Sequence, residues 1–233
     1  MEFNIINIQQ YIESKNSFEI FDINYTDEEK DCIKNFNIEN FGNYNSYNTI
    51  DNLEGFIKNI GTNNEDDIKI IIKIINKLLK NILGGYNTNF YWISIRIHSK
   101  DDFFDIPRWH CDGYYFSNRN ILQSKFITTL KGPTTLILKT SPEEKEHFLK
   151  LDPYVDQFDK NKRKYISENI KGTKIKITNN QGLIFAAGDK DKCLIHSEPK
   201  FDDNRIFISI LPGNKSDIDE LSERTNKKQK NES

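Results

Sequence analysis

The sequence predicts an α+β protein, mainly β with flanking helices, and three observations carry that expectation. From Asn89 onward, short runs rich in β-branched and aromatic residues alternate with Gly, Pro, Asn and Asp breaks, the texture of strands and turns. Ahead of them lies one long run whose apolar residues recur at helical spacing. The chain of 233 residues can form one large domain or two small ones, and it is long enough to bury a real core.

Taken in order, residues 1–88 read as a helical support region. "TDEEKDCIKNF" and "NLEGFIKNI" are short helices with acidic first turns, and "NNEDDIKIIIKIINKLLKNILGG" is the clearest element. In it Ile68, Ile71, Ile72, Ile75, Leu78, Leu79 and Ile82 form one stripe, acidic residues lead, and Gly84–Gly85 are expected to close the helix. Residues 89–213 hold eight candidate strands: "FYWISIRIH", "WHCDGYYF", "KFITTL", "TTLILKT", "TKIKIT", "GLIFAAG", "KCLIHS" and "RIFISIL". A charged insertion over 141–172 interrupts them and reads as helix and loop. Residues 1–213 are therefore expected to be a single domain, and 214–233 a polar, flexible tail.

Composition excludes several classes. A net charge of −2 gives no electrostatic reason to expect a nucleic-acid or membrane partner. No apolar stretch approaches the roughly 20 residues of a membrane span. "MEFNIINIQQYIESK" has no basic segment before an apolar run, so it is not read as a signal peptide. Cys32, Cys111 and Cys193 are an odd number at no zinc spacing and read as free thiols in a reducing, cytoplasmic compartment.

The chemistry concentrates in "IPRWHCDGYYF". If this segment is a strand, His110 and Asp112 share one face and Cys111 takes the other. His196 ends the seventh run. Two imidazoles and one carboxylate form the facial triad that holds non-heme Fe(II) with open positions beside it. Arg205 opens the eighth run, where its guanidinium fork can take a carboxylate in bidentate fashion. Ser209 shares its face and can add a hydrogen bond. Tyr114, on the face of His110 and Asp112, and Trp109 are candidates for lining a substrate pocket. His98 reads as a solvated edge histidine, and Arg205 has a structural alternative as an ion-pair partner of Asp202 or Asp203.

"WHCD", followed by "GLIFAAGDKDKCLIHSEPKFDDNRIFISIL", resembles the iron(II)- and 2-oxoglutarate-dependent dioxygenases, in particular an uncharacterised bacterial branch of that fold. The resemblance spans roughly Asn89 to Gly213. It implies a double-stranded β-helix (jelly-roll, cupin-like) packed on the N-terminal helical segment. It also implies His110, Asp112 and His196 as ligands of Fe(II), Arg205 as the clamp on 2-oxoglutarate, and molecular oxygen as the second co-substrate. Leu211 stands where the nucleic-acid demethylase subgroup has a second arginine, which turns the expectation away from alkylated bases. Three readings stay open: an oxygenase hydroxylating a substrate the sequence leaves unspecified, a cupin-like metalloenzyme that does not use 2-oxoglutarate, and a catalytically silent barrel acting as a binding module.

Overall fold

A computed structural model describes residues 5–14 and 17–232. The helical front comprises α1 (Ile5–Ser14), α2 (Asp27–Asn35), α3 (Leu53–Lys58) and α4 (Glu65–Tyr86). It also contains two strands that its sequence does not announce, β1 (Phe18–Asp22) and β2 (Gly42–Tyr47), so residues 1–88 are more than a helical support. The body follows as β3 (Phe90–His98), β4 (Gln123–Lys131), β5 (Leu136–Lys139), α5 (Pro142–Lys150), α6 (Lys160–Asn169), β6 (Thr173–Lys176), β7 (Gln181–Ala187), β8 (Ile195–Ser197) and β9 (Arg205–Gly213). The last helix is α7 (Lys215–Glu232).

The strands form a six-stranded antiparallel sheet in the order β1-β7-β4-β9-β3-β2 and a three-stranded antiparallel sheet in the order β6-β5-β8. "WHCDGYYF" is not a strand: His110 makes a single bridge to His196 on the free edge of β8. The reason lies in where the following backbone groups bond. The amides of Tyr115 and Phe116 donate to the side-chain oxygen of Gln123, at 2.8 and 2.9 Å, and not to a neighbouring strand. With that bridge counted, the chain from β3 visits the sheets in the order large, small, large, small, small, large, small, large. This alternation is a double-stranded β-helix, a jelly roll.

Caps at both ends, one close contact and a buried stripe explain how α4 is placed. Asn64 caps α4 by accepting the amide of Asp67 at 2.8 Å. The helix runs past Gly84–Gly85 and stops at Asn87, whose φ of 49° is the left-handed cap. Gly85 serves packing instead: a Cβ there would lie 2.7 Å from Cγ2 of Ile8 on α1. The buried stripe of α4 includes Ile74, while Ile72 is only partly covered. It packs on Ile93, Ile95 and Ile97 of β3 and Ile206, Ile208 and Ile210 of β9. Each such side chain contributes about 1.5–3 kcal/mol by leaving water. Period two then sends the alternate residues of those strands to the opposite face, toward the small sheet.

The tail is a correction. Residues 215–232 are helical, and Ile218 and Leu221 bury against Phe116 and Leu211. Asn214 caps the helix, its side chain accepting the amide of Asp217 at 2.9 Å. All three cysteines are unbonded and buried, with Cys111 and Cys193 Sγ 2.8 Å apart in a cluster that includes Trp109, Phe148 and Ile166. Among the described residues, no helix is long and apolar enough to cross a membrane.

Candidate metal centre

His110 and His196 are tied through the backbone, each amide donating to the other's carbonyl at 2.9 Å. Their rings stand 4.3 Å apart between centroids. Nδ1 of His110 lies 2.8 Å from the Arg108 carbonyl, and Nδ1 of His196 lies 3.0 Å from the Leu194 carbonyl. A carbonyl only accepts, so both Nδ1 atoms carry the proton and both Nε2 atoms are left as lone-pair donors. These Nε2 atoms lie 3.8 and 3.7 Å from Oδ1 of Asp112, and the three ligand atoms fall within 4.8 Å of one another. Metal bonds of about 2.0–2.2 Å require them to draw in by roughly 1–2 Å.

Asp112 presents only one oxygen. Its Oδ2 accepts the hydroxyl of Tyr115 at 2.8 Å and pairs with the ammonium of Lys125, which also donates to the Tyr115 oxygen at 2.7 Å. Burial would raise the Asp112 pKa, but Lys125 first, then His196 and His110, hold it far below the carboxylate range. Burial, helped by the neighbouring His196, pushes His110 down to about 3, and burial lowers His196 against the pull of Asp112. At neutral pH the set is therefore two neutral imidazoles and one carboxylate, the protonation state a cation needs. Burial and Asp112 raise Tyr115 well above its usual value, so it stays a donor.

Next to this cluster Arg108 donates from Nε to Glu198 at 3.1 Å and from Nη1 to Gln157 at 2.6 Å. Its Nη2 stands 3.3 Å from Nε2 of His110, the contact a cation would replace. Burial acts to raise Glu198, yet His110 and Arg108 bring it down to about 2. Gln157, and Phe158 at 5.2 Å beneath the Arg108 guanidinium, come from the insertion, which thus closes one side of the site.

Arg205 and Ser209 lie on the inner face of β9 and line the same cavity of about 390 Å³ as the three candidate ligands. Arg205 is 3% exposed. Its Nη2 reaches the hydroxyls of Thr135 at 3.1 Å and Thr129 at 3.4 Å, and its ring neighbours are Phe207 and Phe201. Neither Asp202 nor Asp203 pairs with it; among the described residues no carboxylate lies within ion-pair distance. Burial lowers its pKa to about 9. Among the described residues, both its Nε and the Ser209 hydroxyl are buried without a hydrogen-bond partner. A guanidinium left so is expensive, and two orphaned donors facing one cavity suit an anion.

Two expectations fail. Trp109 is buried in the cluster behind the small sheet, and Tyr114 packs on Gly188 and under Arg119, so neither lines the cavity. Residues past Asp112 bend where a strand was expected, which shifts the inward position by one, to Tyr115. His98 is half-buried on the cavity wall, stacked on Phe201 at 4.9 Å. Lys125, Arg108, Glu198 and Arg96 were missed. Arg108 and Glu198 each sit two residues from a candidate ligand, so the period-two argument applied to His110 and Asp112 would have found both.

No family model matches the sequence, and no curated protein does. Solved structures similar in chain path include a Pseudomonas putida prolyl-4-hydroxylase, at 8% identity and a TM-score of 0.43 over 91% of this chain and 99% of that one. A Kdo hydroxylase, described as a non-heme Fe(II) alphaketoglutarate dependent dioxygenase in complex with succinate and Fe(III), has 10% identity and a TM-score of 0.45, with coverages of 91% and 84%. A dioxygenase for auxin oxidation in rice has 4% identity and a TM-score of 0.48, with coverages of 91% and 80%. At these TM-scores they decide nothing about chemistry, which has to follow from the site itself.

Proposed function

We propose that the chain is an Fe(II)- and 2-oxoglutarate-dependent oxygenase that hydroxylates a C–H bond of its substrate. The observation carrying this reading is that one cavity brings together two different donor sets. One is the Nε2, Nε2 and Oδ1 trio of His110, His196 and Asp112; the other is the buried Arg205 with Ser209, whose Nε and hydroxyl lack partners among the described residues. A metalloenzyme without an acidic co-substrate has no use for the second, and a silent barrel has no use for either.

His110, His196 and Asp112 would hold Fe(II), leaving open positions for co-substrate and oxygen. When bound, iron and 2-oxoglutarate supply the oxygen activation that the side chains cannot. The residues supply geometry. Tyr115 and Lys125 keep Asp112 Oδ2 occupied so that Oδ1 alone faces the ion. Arg205 and Ser209 would receive the far carboxylate of 2-oxoglutarate. Phe185, Phe207 and Ile127 add apolar wall to the same cavity.

The test is 2-oxoglutarate binding in the presence of Mn(II), for the unmodified protein and for Arg205→Lys. Lysine keeps the charge and loses the fork, so affinity should fall by about 1.5–3 kcal/mol, roughly ten- to a hundredfold, with Mn(II) binding unchanged. Equal affinities, or no binding by the unmodified protein, would sink the co-substrate assignment.

A further inference from the structure

Four fixed cations line the cavity, and two of them face carboxylates: Lys125 with Asp112, and Arg108 with Glu198. The proposed function accounts for the third, Arg205. The fourth, Arg96, is left over. It stands on the inner face of β3, opposite Phe207 of β9 and one inward position from His98, which pairs with Arg205 across the sheet. Among the described residues it has neither an ion pair nor a hydrogen bond, and it is exposed where the cavity opens. Its charge adds to the burial that lowers the pKa of His98 and Arg205 on the same wall.

We propose that Arg96 receives an anionic oxygen group of the substrate, a carboxylate or a phosphate, at the mouth of the cavity. The inference rests on the oxygenase reading and names the substrate class for it. A divalent cation and a dicarboxylate cancel in charge, so loading the site leaves the excess positive charge of the wall in place. Burial decides which arginine takes which anion. Arg205 is desolvated and loses stability until it is paired, whereas Arg96 is hydrated and can wait for a ligand that comes and goes. A guanidinium at an opening with apolar walls also draws anions in by its field.

Calorimetry on the 233-residue chain tests this. The unmodified protein, Arg96→Gln and Arg96→Lys are loaded with Mn(II) and saturating 2-oxoglutarate, and inorganic phosphate or acetate is then titrated in. The expected result is saturable binding of at least one anion to the unmodified protein, weakened about tenfold or more in Arg96→Gln and partly kept in Arg96→Lys. Which of the two binds distinguishes a phosphate from a carboxylate. Binding of neither anion to the loaded unmodified protein, or equal binding to Arg96→Gln, overturns the inference. The 2-oxoglutarate isotherms recorded during loading separate the two levels of failure. If the unmodified protein does not take 2-oxoglutarate, the oxygenase reading itself falls. If only Arg96→Gln takes it more weakly, Arg96 belongs to the co-substrate and the substrate inference alone is lost.

Discussion

At the residue scale, Asp112 shows how neighbours set what a ligand can do. Tyr115 and Lys125 both act on Oδ2, so the carboxylate is aimed before any ion arrives. Tyr115→Phe removes one hydrogen bond and no volume of consequence. Mn(II) affinity should drop by roughly ten- to a hundredfold while the circular dichroism spectrum stays unchanged; an unaltered affinity would show that Lys125 alone orients Asp112. The two histidines could be picked from the sequence because the chain has only 4, and Asp112 because it stands two residues from one of them. Tyr115 could not, because identifying it required knowing that the backbone bends after Asp112. Arg96 was equally hidden: an arginine within "FYWISIRIH" gives no sign of which face of its strand looks into a cavity.

At the element scale, α7 separates apparent from actual packing. Its sequence is nearly all polar, so the pattern suggested a flexible tail, yet Ile218 and Leu221 lie three apart on one face and cover Phe116 and Leu211. Arg224 also donates to the carbonyl of Tyr115, so the helix braces the segment that carries that side chain. Ile218→Ala should cost roughly 2–5 kcal/mol in urea unfolding, the lower end fitting so small a cluster; a flexible tail would give no change. α4 was easy to read because its stripe is long and isoleucine-rich. β2, "GNYNSY", was not, because an edge strand that, among the described residues, pairs only with β3 needs few apolar residues. The eight runs after Asn89 fall, in chain order, on β3, the His110 segment and β4 to β9, except that the His110 segment contributes one bridge where a strand was expected.

At the scale of the whole molecule, the cavity ties stability to pH. Burial first, then Arg205 and Arg96, lowers His98 from 6.5 to about 4, so between those values the unfolded chain binds a proton that the folded chain refuses. Stability therefore rises with pH across that window and is progressively lost as pH falls through it. His110, held down to about 3 by burial, acts with the same sign over a wider range. The melting temperature should fall on acidification from pH 6.5 to 4. It should do so less steeply in His98→Phe, which keeps an aromatic ring against Phe201; identical slopes would remove His98 from the account.

The reciprocal hydrogen bonds between His110 and His196 have a consequence for the order of events. Two of the three donors are registered to each other by main chain, so the conformational entropy of bringing them together is spent when the barrel folds and not when an ion enters. The backbone that carries the two imidazoles is preorganised, and only the side chains have to draw in. In hydrogen–deuterium exchange, the amides of these two histidines should be slow, and slow to the same degree with and without Mn(II). Protection that appears only with the metal would mean instead that the ion assembles its own site.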